Sequence, residues 1–469
     1  MRSAGLPVDF HFFLSLLHSL QRIFGAPSAF IRRSSHDGIK HPGAFEMVLL
    51  SSCCATIAAL RRIRPFTLNT NSNPSGVKVN GWIVVFVIAS AATVAQAFGR
   101  FSFGVLYPAV RDDLAVSNTV AALLGASNVG AYLVGTLAVA WTTSRVKLLG
   151  TFRFGVVLAT IGLGVAALSS SPVMLALGLA IAGLGGACVW IPAPAIAADA
   201  MPQRYRNLAV GLMGSGMGVG IVFVSLLAAS LRARMGDAAW SMVYQVQVGV
   251  AVVTLVAVMV VVRHQQAKSV GAARSGGLGV LRRMPGWVPM IIAYAIFGFM
   301  YFLVIGFLTS RLEDDSGWTS TEASYAFTLM GVAMIFGGPL FVTIANRIGV
   351  RLALCLAFSA WPVLVLVVLS GEVGYVFPSV LGLGLLFSAI PSLLTVYVVQ
   401  HTTLEDYGPS FSAATLAFGI AQMISPPVGG LIADISGSFT AVFMLSAAMG
   451  SLGVIAVLRL PANEPTGPG

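Results

Sequence analysis

A single arginine stands in the middle of a long apolar stretch. Arg100 is preceded by nineteen uncharged residues from Gly81 onward and followed by ten more. If this stretch spans a bilayer, an arginine at such depth costs roughly 2.5–3.5 kcal/mol on insertion scales and must face a cavity or a partner. Its guanidinium can bind a carboxylate through two parallel hydrogen bonds. Arg100 is therefore a candidate site for an anionic solute, with a structural arginine bonded to backbone carbonyls as the alternative.

The residues around Arg100 repeat with helical spacing. Thr93, Gln96, Arg100, Phe103 and Tyr107 recur at i, i+3, i+7, i+10 and i+14, which predicts one face of a helix. Gln96 is therefore a candidate to bind the same solute as Arg100.

Three further polar side chains are candidates to line a cavity. Asn128 and Tyr132 lie at i and i+4 on a second apolar stretch, with Gly125 and Gly135 on the same face, so packing against a neighbouring helix is the alternative. Gln422 lies one turn before Pro426, in a stretch that we expect the proline to bend.

Residues that would perform catalysis are missing from the apolar stretches. The six histidines all fall near the N-terminus or in polar segments, and no Asp or Glu occupies the centre of an apolar run. Serine–histidine, paired-carboxylate and metal chemistry therefore lack partners there. The four cysteines show no metal-ligand spacing. Neither an enzyme nor a cofactor or metal is expected.

The composition indicates a membrane protein. Hydrophobic residues make up 57% of the chain and charged residues only 9%, compared with about 25% charged in soluble domains. Mean hydropathy is +0.89. The apolar runs are continuous and long, unlike the short alternating segments of a barrel. Twelve transmembrane helices are predicted near residues 82–107, 118–141, 148–169, 172–197, 206–230, 240–262, 287–310, 321–345, 350–370, 373–400, 409–433 and 438–460.

The basic residues predict the orientation of these helices. If residue 80 is cytoplasmic, most cations fall in cytoplasmic loops, whereas the opposite loops also contain Asp112, Asp113, Glu313, Asp314 and Asp315. The net charge of +11 is then a matter of topology, not of nucleic-acid binding. We expect a multi-pass protein of the inner membrane with both termini cytoplasmic. Its expected partners are the lipid bilayer and a small-molecule substrate, and a monomer is expected.

The chain divides into five segments by composition. Residues 1–76 are basic and contain apolar runs too short to span, and we expect a disordered or mis-started leader. The predicted first six-helix bundle covers 77–262, and the second covers 287–460. Residues 263–286 are polar, basic and rich in Gly and Ser, which predicts a flexible cytoplasmic linker, and 461–469 form a cytoplasmic tail.

The two bundles resemble each other at a spacing of about 200 residues. Gly81-Trp82 corresponds to Gly286-Trp287, and Ile191-Pro192 corresponds to Ile390-Pro391. A parallel repeat of six helices plus six is predicted.

A loop motif between predicted helices 8 and 9 resembles a signature of the major facilitator superfamily. The residues are Asn346-Arg347-Ile348-Gly349-Val350-Arg351, preceded by Gly338-Pro339-Leu340; the first-half copy has changed to Thr142-Thr143-Ser144-Arg145-Val146-Lys147. Gly99-Arg100-Phe101, and the segment from Ser127 to Leu133, resemble the YbfB/YjiJ branch of that superfamily. The resemblance implies an all-α fold of twelve transmembrane helices in two six-helix bundles.

The resemblance also implies a site and a function. Helices 1, 4, 7 and 10 line the central cavity in this superfamily. That assignment adds Trp190 on helix 4, Tyr294 and Tyr301 on helix 7, and Ser388 and Ser392 on helix 10. Aromatic and hydroxyl groups around one cation suit a small organic solute, with an anionic one favoured. The expected function is secondary transport across the cytoplasmic membrane by alternating access. The alternative is a non-transporting membrane sensor on the same fold.

Charges at the cytoplasmic ends of the predicted helices suggest a gate. Asp199 and Glu405 can pair there with Arg145, Arg347 or Arg351 in the outward-facing state. Exposed pairs contribute only about 0–1 kcal/mol, but a small bias is enough to shift a two-state equilibrium.

Overall fold

The described part of the chain is helical throughout. The computed structural model describes residues 80–142, 146–262, 277–402 and 404–461, and no strand occurs in these ranges. The predicted leader, most of the linker and nearly all of the tail lie outside them.

Twelve helices in these ranges are long and apolar enough to cross a membrane, which confirms the predicted number. They are α1 (Gly81–Asp113), α2 (Asn118–Thr142), α3 (Leu148–Ala167), α4 (Pro172–Asp199), α5 (Arg206–Met235), α6 (Trp240–Val261), α7 (Trp287–Asp315), α8 (Ser320–Ile348), α9 (Val350–Val368), α10 (Val373–His401), α11 (Leu404–Ser436) and α12 (Thr440–Leu458). Helices satisfy their own backbone polar groups, as a lipid environment requires.

The helices pack as two groups of six that meet along three pairs. Within the first group, α4 packs on α2 and α3; within the second, α10 packs on α8 and α9, and α12 packs on α7 and α9. The groups meet where α1 contacts α7, α2 contacts α11 and α5 contacts α8. The described residues of both groups belong to one compact unit. The interface between the groups is therefore the place to look for a site.

Local sequence signals set several helix starts. The Asn80 side chain accepts a hydrogen bond from the Trp82 backbone N–H at 3.0 Å and caps α1. Thr319 and Glu322 form a reciprocal capping box at the start of α8. Gly349, between α8 and α9, has φ of +86°, a conformation that favours glycine and explains its place in the loop motif.

Helices α1, α5 and α7 each end at least five residues later than the sequence predicted. The prediction ended α1 near 107 and α7 near 310, with the following charged residues in loops. In the structure α1 continues to Asp113, and α7 continues to Asp315 through a π-helical turn, Arg311–Asp315. At the end of α7, Glu313 and Asp314 pair with Arg232 and Arg111 of other helices, and at the end of α1 the Asp113 carboxylate accepts a hydrogen bond from Trp240 Nε1, so these helices continue through charged sequence.

Part of the predicted flexible linker is ordered. Residues Gly277–Leu281 form a short helix that contacts α11, and the side chains of Leu281 and Met284 are buried. Gly286 follows with φ of +69°. The linker thus ends as a packed segment before α7.

Glycines let α3 and α4 approach closely, and this gives a testable contrast. A Cβ at Gly162 of α3 would lie 2.3 Å from the backbone nitrogen of Ala182, whereas a Cβ at Gly164 would meet nothing within 4 Å. We expect Gly162→Ala to lower stability by about 1–3 kcal/mol because the helices must separate. Gly164→Ala, the matched control, should leave stability unchanged or raise it, because alanine favours the helix. Thermal unfolding in detergent measures both, and equal melting temperatures would contradict the close-packing interpretation.

Candidate functional site

The central part of α1 is a π-helix. Residues Val94–Phe101, which include Gln96 and Arg100, form i→i+5 turns between two α-helical segments. A π-helical segment changes the register of the side chains, and such segments are frequent at functional sites. The helix face predicted from Thr93 to Tyr107 is interrupted here. The Thr93 hydroxyl does not point to the cavity but donates to the Gly216 backbone oxygen of α5 at 2.8 Å. Arg100 and Phe103, in contrast, line one cavity.

Arg100 joins the two groups of helices. Its Nη2 donates to the side-chain oxygen of Gln422 on α11, and the Gln422 Nε2 donates to the hydroxyl of Tyr301 on α7. Gln422 and Tyr301 are both almost completely buried. The sequence predicted these three residues as site residues, and the structure brings them together at the interface between the groups.

Aromatic rings surround the guanidinium of Arg100. The Arg100 Cζ atom lies 5.0 Å from the ring centroid of Tyr132 on α2 and 5.5 Å from that of Phe302 on α7. Such contacts stabilise a cation by about 0.5–2 kcal/mol. Two buried donors, Nε of Arg100 and Nε2 of Gln96, have no hydrogen-bond partner among the described residues. Gln96 and Tyr132 both flank Gly186 of α4, so they lie in the same part of the molecule as Arg100.

A narrow cavity extends from Arg100 between α1, α2, α7 and α11. Its empty space of about 350 Å³ includes open solvent at the mouth, and the enclosed part has room for about one water molecule. The lining residues are Arg100, Phe103, Gly104, Tyr107, Ala122, Gly125, Phe302, Ile305, Gly306, Phe307 and Pro426. Arg100 is the charged residue of this lining, and the rest is apolar or aromatic. Every Asp and Glu side chain in the described ranges lies at or near a helix end.

Asn128 uses its amide group on the backbone. Its Nδ2 donates to the backbone oxygens of Gly99 on α1 and Leu179 on α4, both at 2.8 Å. A Cβ at Gly183 of α4 would lie 2.2 Å from the Asn128 backbone oxygen. Asn128 therefore holds the π-helical segment of α1 against α4.

This geometry gives a prediction for Asn128. Asn128→Leu removes two donors from buried carbonyls, and we expect it to lower stability by about 1–3 kcal/mol. Thr136→Val is a matched control on α2, because the Thr136 hydroxyl donates to the Tyr132 carbonyl of its own helix at 2.9 Å and does not join two helices through that bond. Thermal unfolding in detergent measures the effect. A variant with unchanged stability and reduced solute affinity would instead make Asn128 a solute ligand.

Four further predicted site residues contact other groups of the described chain. Tyr294 stacks on Phe418 of α11 with centroids 4.5 Å apart. The Ser388 hydroxyl accepts a hydrogen bond from the Gly338 N–H at 3.0 Å, which directs it to α8. Ser392 donates to the backbone oxygen of Ser388 at 2.7 Å. Trp190 is half-buried at the end of the first segment of α4, just before the break at Ile191-Pro192.

Ion pairs join the two groups of helices at one end of the molecule. Helices α1, α5, α7 and α11 end there, and we call it the distal end. Arg111 of α1 binds Asp314 of α7 with Nη to carboxylate distances of 2.5 and 3.1 Å. Arg232 of α5 binds both carboxylate oxygens of Glu313 at 2.7 and 2.8 Å, and its side chain is only 2% exposed. Asp237 binds the same arginine at 2.6 Å. The sequence placed these charges in loops and gave no signal that they pair.

Further contacts close the distal end. The carboxylate of Asp434 on α11 accepts hydrogen bonds from the backbone N–H groups of Asn118 and Thr119 on α2, at 2.9 and 2.8 Å. The Thr309 hydroxyl of α7 donates to the Gly104 backbone oxygen of α1 at 2.8 Å. A Cβ at Gly104 would lie 2.4 Å from the Ile305 oxygen. The backbones of α1 and α7 are therefore in contact between Arg100 and the distal ends of these helices.

The predicted gate residues lie at the opposite, or proximal, end. Asp199 ends α4, and Arg347 lies in the last turn of α8. Arg351 donates to the backbone oxygen of Leu458 on α12, within the second group. No ion pair between two described side chains includes any of these three residues. The side chains of Arg145 and Glu405 lie outside the described residues, so the predicted pairing stays a prediction.

Twelve apolar helices in two groups of six, with a polar cluster at their interface, define a multi-pass membrane protein of the transporter class. The family described as "Uncharacterised MFS-type transporter YbfB" matches residues 92–458. The chain belongs to this family of the major facilitator superfamily, as the sequence motifs predicted.

Relatives and solved structures agree with this assignment. An uncharacterized MFS-type transporter of Mycobacterium tuberculosis is 31% identical over 174 residues, 35% of this chain and 25% of the relative. Solute carrier family 22 member 18 of Mus musculus is 32% identical over 142 residues, 29% of this chain and 33% of the relative. The matches thus span about a quarter to a third of these relatives' lengths.

The fold matches that of a solved transporter. A bacterial homolog of the human lysosomal transporter Spinster, in an inward-facing and unoccupied conformation, gives a TM-score of 0.62 at 15% identity. The match covers 82% of this chain and 96% of that chain. The major facilitator fold is confirmed.

Proposed function

We propose that this chain is a secondary transporter that moves a small organic anion across the cytoplasmic membrane by alternating access. The observation that supports this most directly is the position of Arg100, which bonds Gln422 of the other group of helices. A binding site at this interface changes its exposure when the two groups move relative to each other. A partly buried guanidinium with a buried, unpartnered Nε favours an anionic solute.

In this proposal the distal ion pairs form the outer gate. Arg111–Asp314 and Arg232–Glu313 both join α7 to the first group of helices, so the distal end is closed in this structure. Loop charges favour cytoplasmic termini and hence a distal end on the opposite, non-cytoplasmic side of the membrane. The proximal residues Arg145, Asp199, Arg347, Arg351 and Glu405 would then form the inner gate in the opposite state.

Coupling to a proton through an intramembrane carboxylate is not part of the proposal. The described carboxylates lie at helix ends, and arginine does not deprotonate in proteins. The residues present fit three other kinds of coupling. These are substrate exchange, a bound anion, and helix-end carboxylates such as Asp199 and Asp434.

Reconstitution of the purified full chain with a panel of anionic, neutral and cationic solutes tests this function. We expect saturable flux of at least one organic anion, lost in Arg100→Ala. Flux of cations alone would contradict an anion site. Folded protein without flux for any solute would contradict transport and favour the non-transporting sensor.

A further inference from the structure

Three exposed arginines at the proximal end form no ion pair with another described side chain. Arg282 and Arg283 lie at the end of the ordered linker segment, and Arg459 directly follows α12. Arg111 and Arg232 at the distal end, in contrast, each bind a carboxylate of α7. The three proximal guanidinium groups are therefore available to an anionic ligand.

A tertiary contact brings these arginines together. A Cβ built on Gly286 would lie 2.5 Å from the Cδ atom of Pro461, so the chain just before α7 touches the chain just after α12. Arg282 lies on the linker side of this contact, with its Cζ atom 5.9 Å from the ring centroid of Trp287. Arg459 lies on the other side, two residues before Pro461. Two distant segments of the chain thus form one group of cations, here called the arginine cluster (Arg282, Arg283 and Arg459).

The surroundings of the arginine cluster add positive charge. Arg351 of α9 donates to the backbone oxygen of Leu458, the residue before Arg459. The described acidic residues of the proximal end are Asp199, at the end of α4 in the other group of helices, and Asp406, near the start of α11. Neither forms an ion pair with the cluster. The cluster is therefore a site of net positive charge.

An apolar surface lies next to the arginine cluster. Helices α7, α9 and α12 each expose two large apolar side chains close to their proximal ends, and each of these side chains is 44–53% exposed. Each pair is spaced i, i+3 or i, i+4 and so lies on one helix face. Because α12 packs on both α7 and α9, the three pairs lie on neighbouring helices. The pairs are Val288 and Ile292 on α7, Leu352 and Leu356 on α9, and Ile455 and Leu458 on α12.

Cations beside an exposed apolar surface match the two parts of an anionic phospholipid. Phosphate oxygens accept charge-assisted hydrogen bonds from guanidinium groups, and basic pockets on the cytoplasmic side of membrane helices bind anionic headgroups. Trp287 stands at the first position of α7, and tryptophan is enriched at the membrane–water interface. A soluble phosphate compound would use the arginines but not the apolar pairs. A zwitterionic phospholipid would bring its own cation to a site of net positive charge.

We propose that the arginine cluster binds the headgroup of an anionic phospholipid in the cytoplasmic leaflet. The acyl chains of this lipid lie along the exposed apolar pairs of α7 and α12. The bound headgroup joins the end of the linker to the end of α12, because Arg282 and Arg283 belong to the first and Arg459 to the second. The choice of leaflet rests on the orientation proposed above, whereas the preference for an anionic lipid does not depend on transport or on the solute.

Native mass spectrometry of the purified full chain, titrated in detergent with lipids of identical acyl chains, tests the proposal. Phosphatidylglycerol should bind at least about tenfold more tightly than phosphatidylcholine, because the cluster contributes a favourable interaction from each arginine. Arg282→Gln/Arg283→Gln should weaken phosphatidylglycerol about tenfold or more and leave phosphatidylcholine unchanged. Arg459→Gln should also weaken phosphatidylglycerol, although it lies at the other end of the second group of helices in sequence.

Arg204→Gln/Arg206→Gln is the matched control. It removes the same charge from two exposed arginines of the proximal end, and the Cζ atom of Arg204 likewise lies close to an aromatic ring, 5.5 Å from the centroid of Tyr205. These two arginines belong to a single connection, between α4 and α5. The control should leave phosphatidylglycerol affinity unchanged. Equal losses in the two double variants would indicate general attraction between a basic protein and anionic lipid, and would overturn the site.

Two further comparisons use the unaltered chain and hold if a variant fails to fold. Equal affinity for phosphatidylglycerol and phosphatidylcholine would overturn the proposal. Glycerol 3-phosphate, which carries the phosphate without acyl chains, should not displace phosphatidylglycerol at the same concentration. Displacement would show that a soluble phosphate compound occupies the arginine cluster, and would overturn the assignment to a lipid.

Discussion

Replacement of Arg100 by lysine is expected to lower the rate of solute transport at least about tenfold, although the positive charge is kept. Lysine lacks the planar fork that binds a carboxylate through two hydrogen bonds, and one charged hydrogen bond is worth about 1.5–3 kcal/mol. Lysine also has no Nε–H in the position that is unpartnered here. Arg100→Ala should abolish binding. Uptake into proteoliposomes, for the anion that the solute panel identifies, measures both effects.

A structural arginine would behave differently, and the same preparations distinguish the two roles. If Arg100 only holds Gln422 and Tyr301 together, Arg100→Ala lowers the melting temperature in detergent while the surviving protein binds solute with unchanged affinity. Arg153→Lys is a suitable control, because Arg153 on α3 donates to the Val262 backbone oxygen at 2.6 Å, away from the cavity. It should affect stability and leave solute affinity unchanged. Unaltered affinity in Arg100→Ala would refute the anion site.

Replacement of Arg232 by glutamine is expected to open the distal end. The arginine binds Glu313 and Asp237 with its side chain only 2% exposed, and removing one partner of a buried pair costs about 3–5 kcal/mol. That cost falls on the state in which the distal end is closed, so the equilibrium moves toward the state in which it is open. A shift of 1.4 kcal/mol already changes the population tenfold.

Labelling of a cavity cysteine from outside intact cells measures this shift. Gly306→Cys, in a chain whose four native cysteines are replaced by alanine, should react with an impermeant maleimide about tenfold faster or more in Arg232→Gln. Arg234→Gln is the matched control, since Arg234 lies two residues away on the same helix and is exposed. Ala238→Cys, at the exposed distal loop, should label in every background and confirms the orientation. Equal labelling rates in Arg232→Gln and Arg234→Gln would contradict the gate.

Much of the fold could be predicted because the signals for membrane helices are local. Hydropathy, the absence of charge and the turn residues act over about 20 residues, the length that crosses a bilayer. The twelve helices, the family and the position of Arg100 between apolar segments of α1 all followed from such stretches. The ends of α1 and α7 were predicted too short because Asp113 and Asp315 read as loop residues, and nothing local shows that their carboxylates bond Trp240 and the Phe439 N–H.

The partners of the site residues were decided by tertiary structure. Gln422 is 322 positions from Arg100, and only the packing of α11 against α2 and α7 brings its amide to the guanidinium. Ser388, predicted on the same grounds as Tyr301, instead bonds the Gly338 N–H of α8. Spacing along one helix fixes which residues share a face, but it does not fix the neighbour that the face meets. The π-helix adds a further change of register that the 3.6-residue period does not contain.

By itself the sequence determined the class of this protein, its helices and the one charge that the membrane forces into a cavity. The physical reason is that insertion free energy depends on the composition of each segment. The tertiary structure alone decided that the distal end is closed, because Arg111–Asp314 and Arg232–Glu313 join residues 203 and 81 positions apart. The energies of such pairs depend on burial and geometry, which arise only when the two groups of helices pack together.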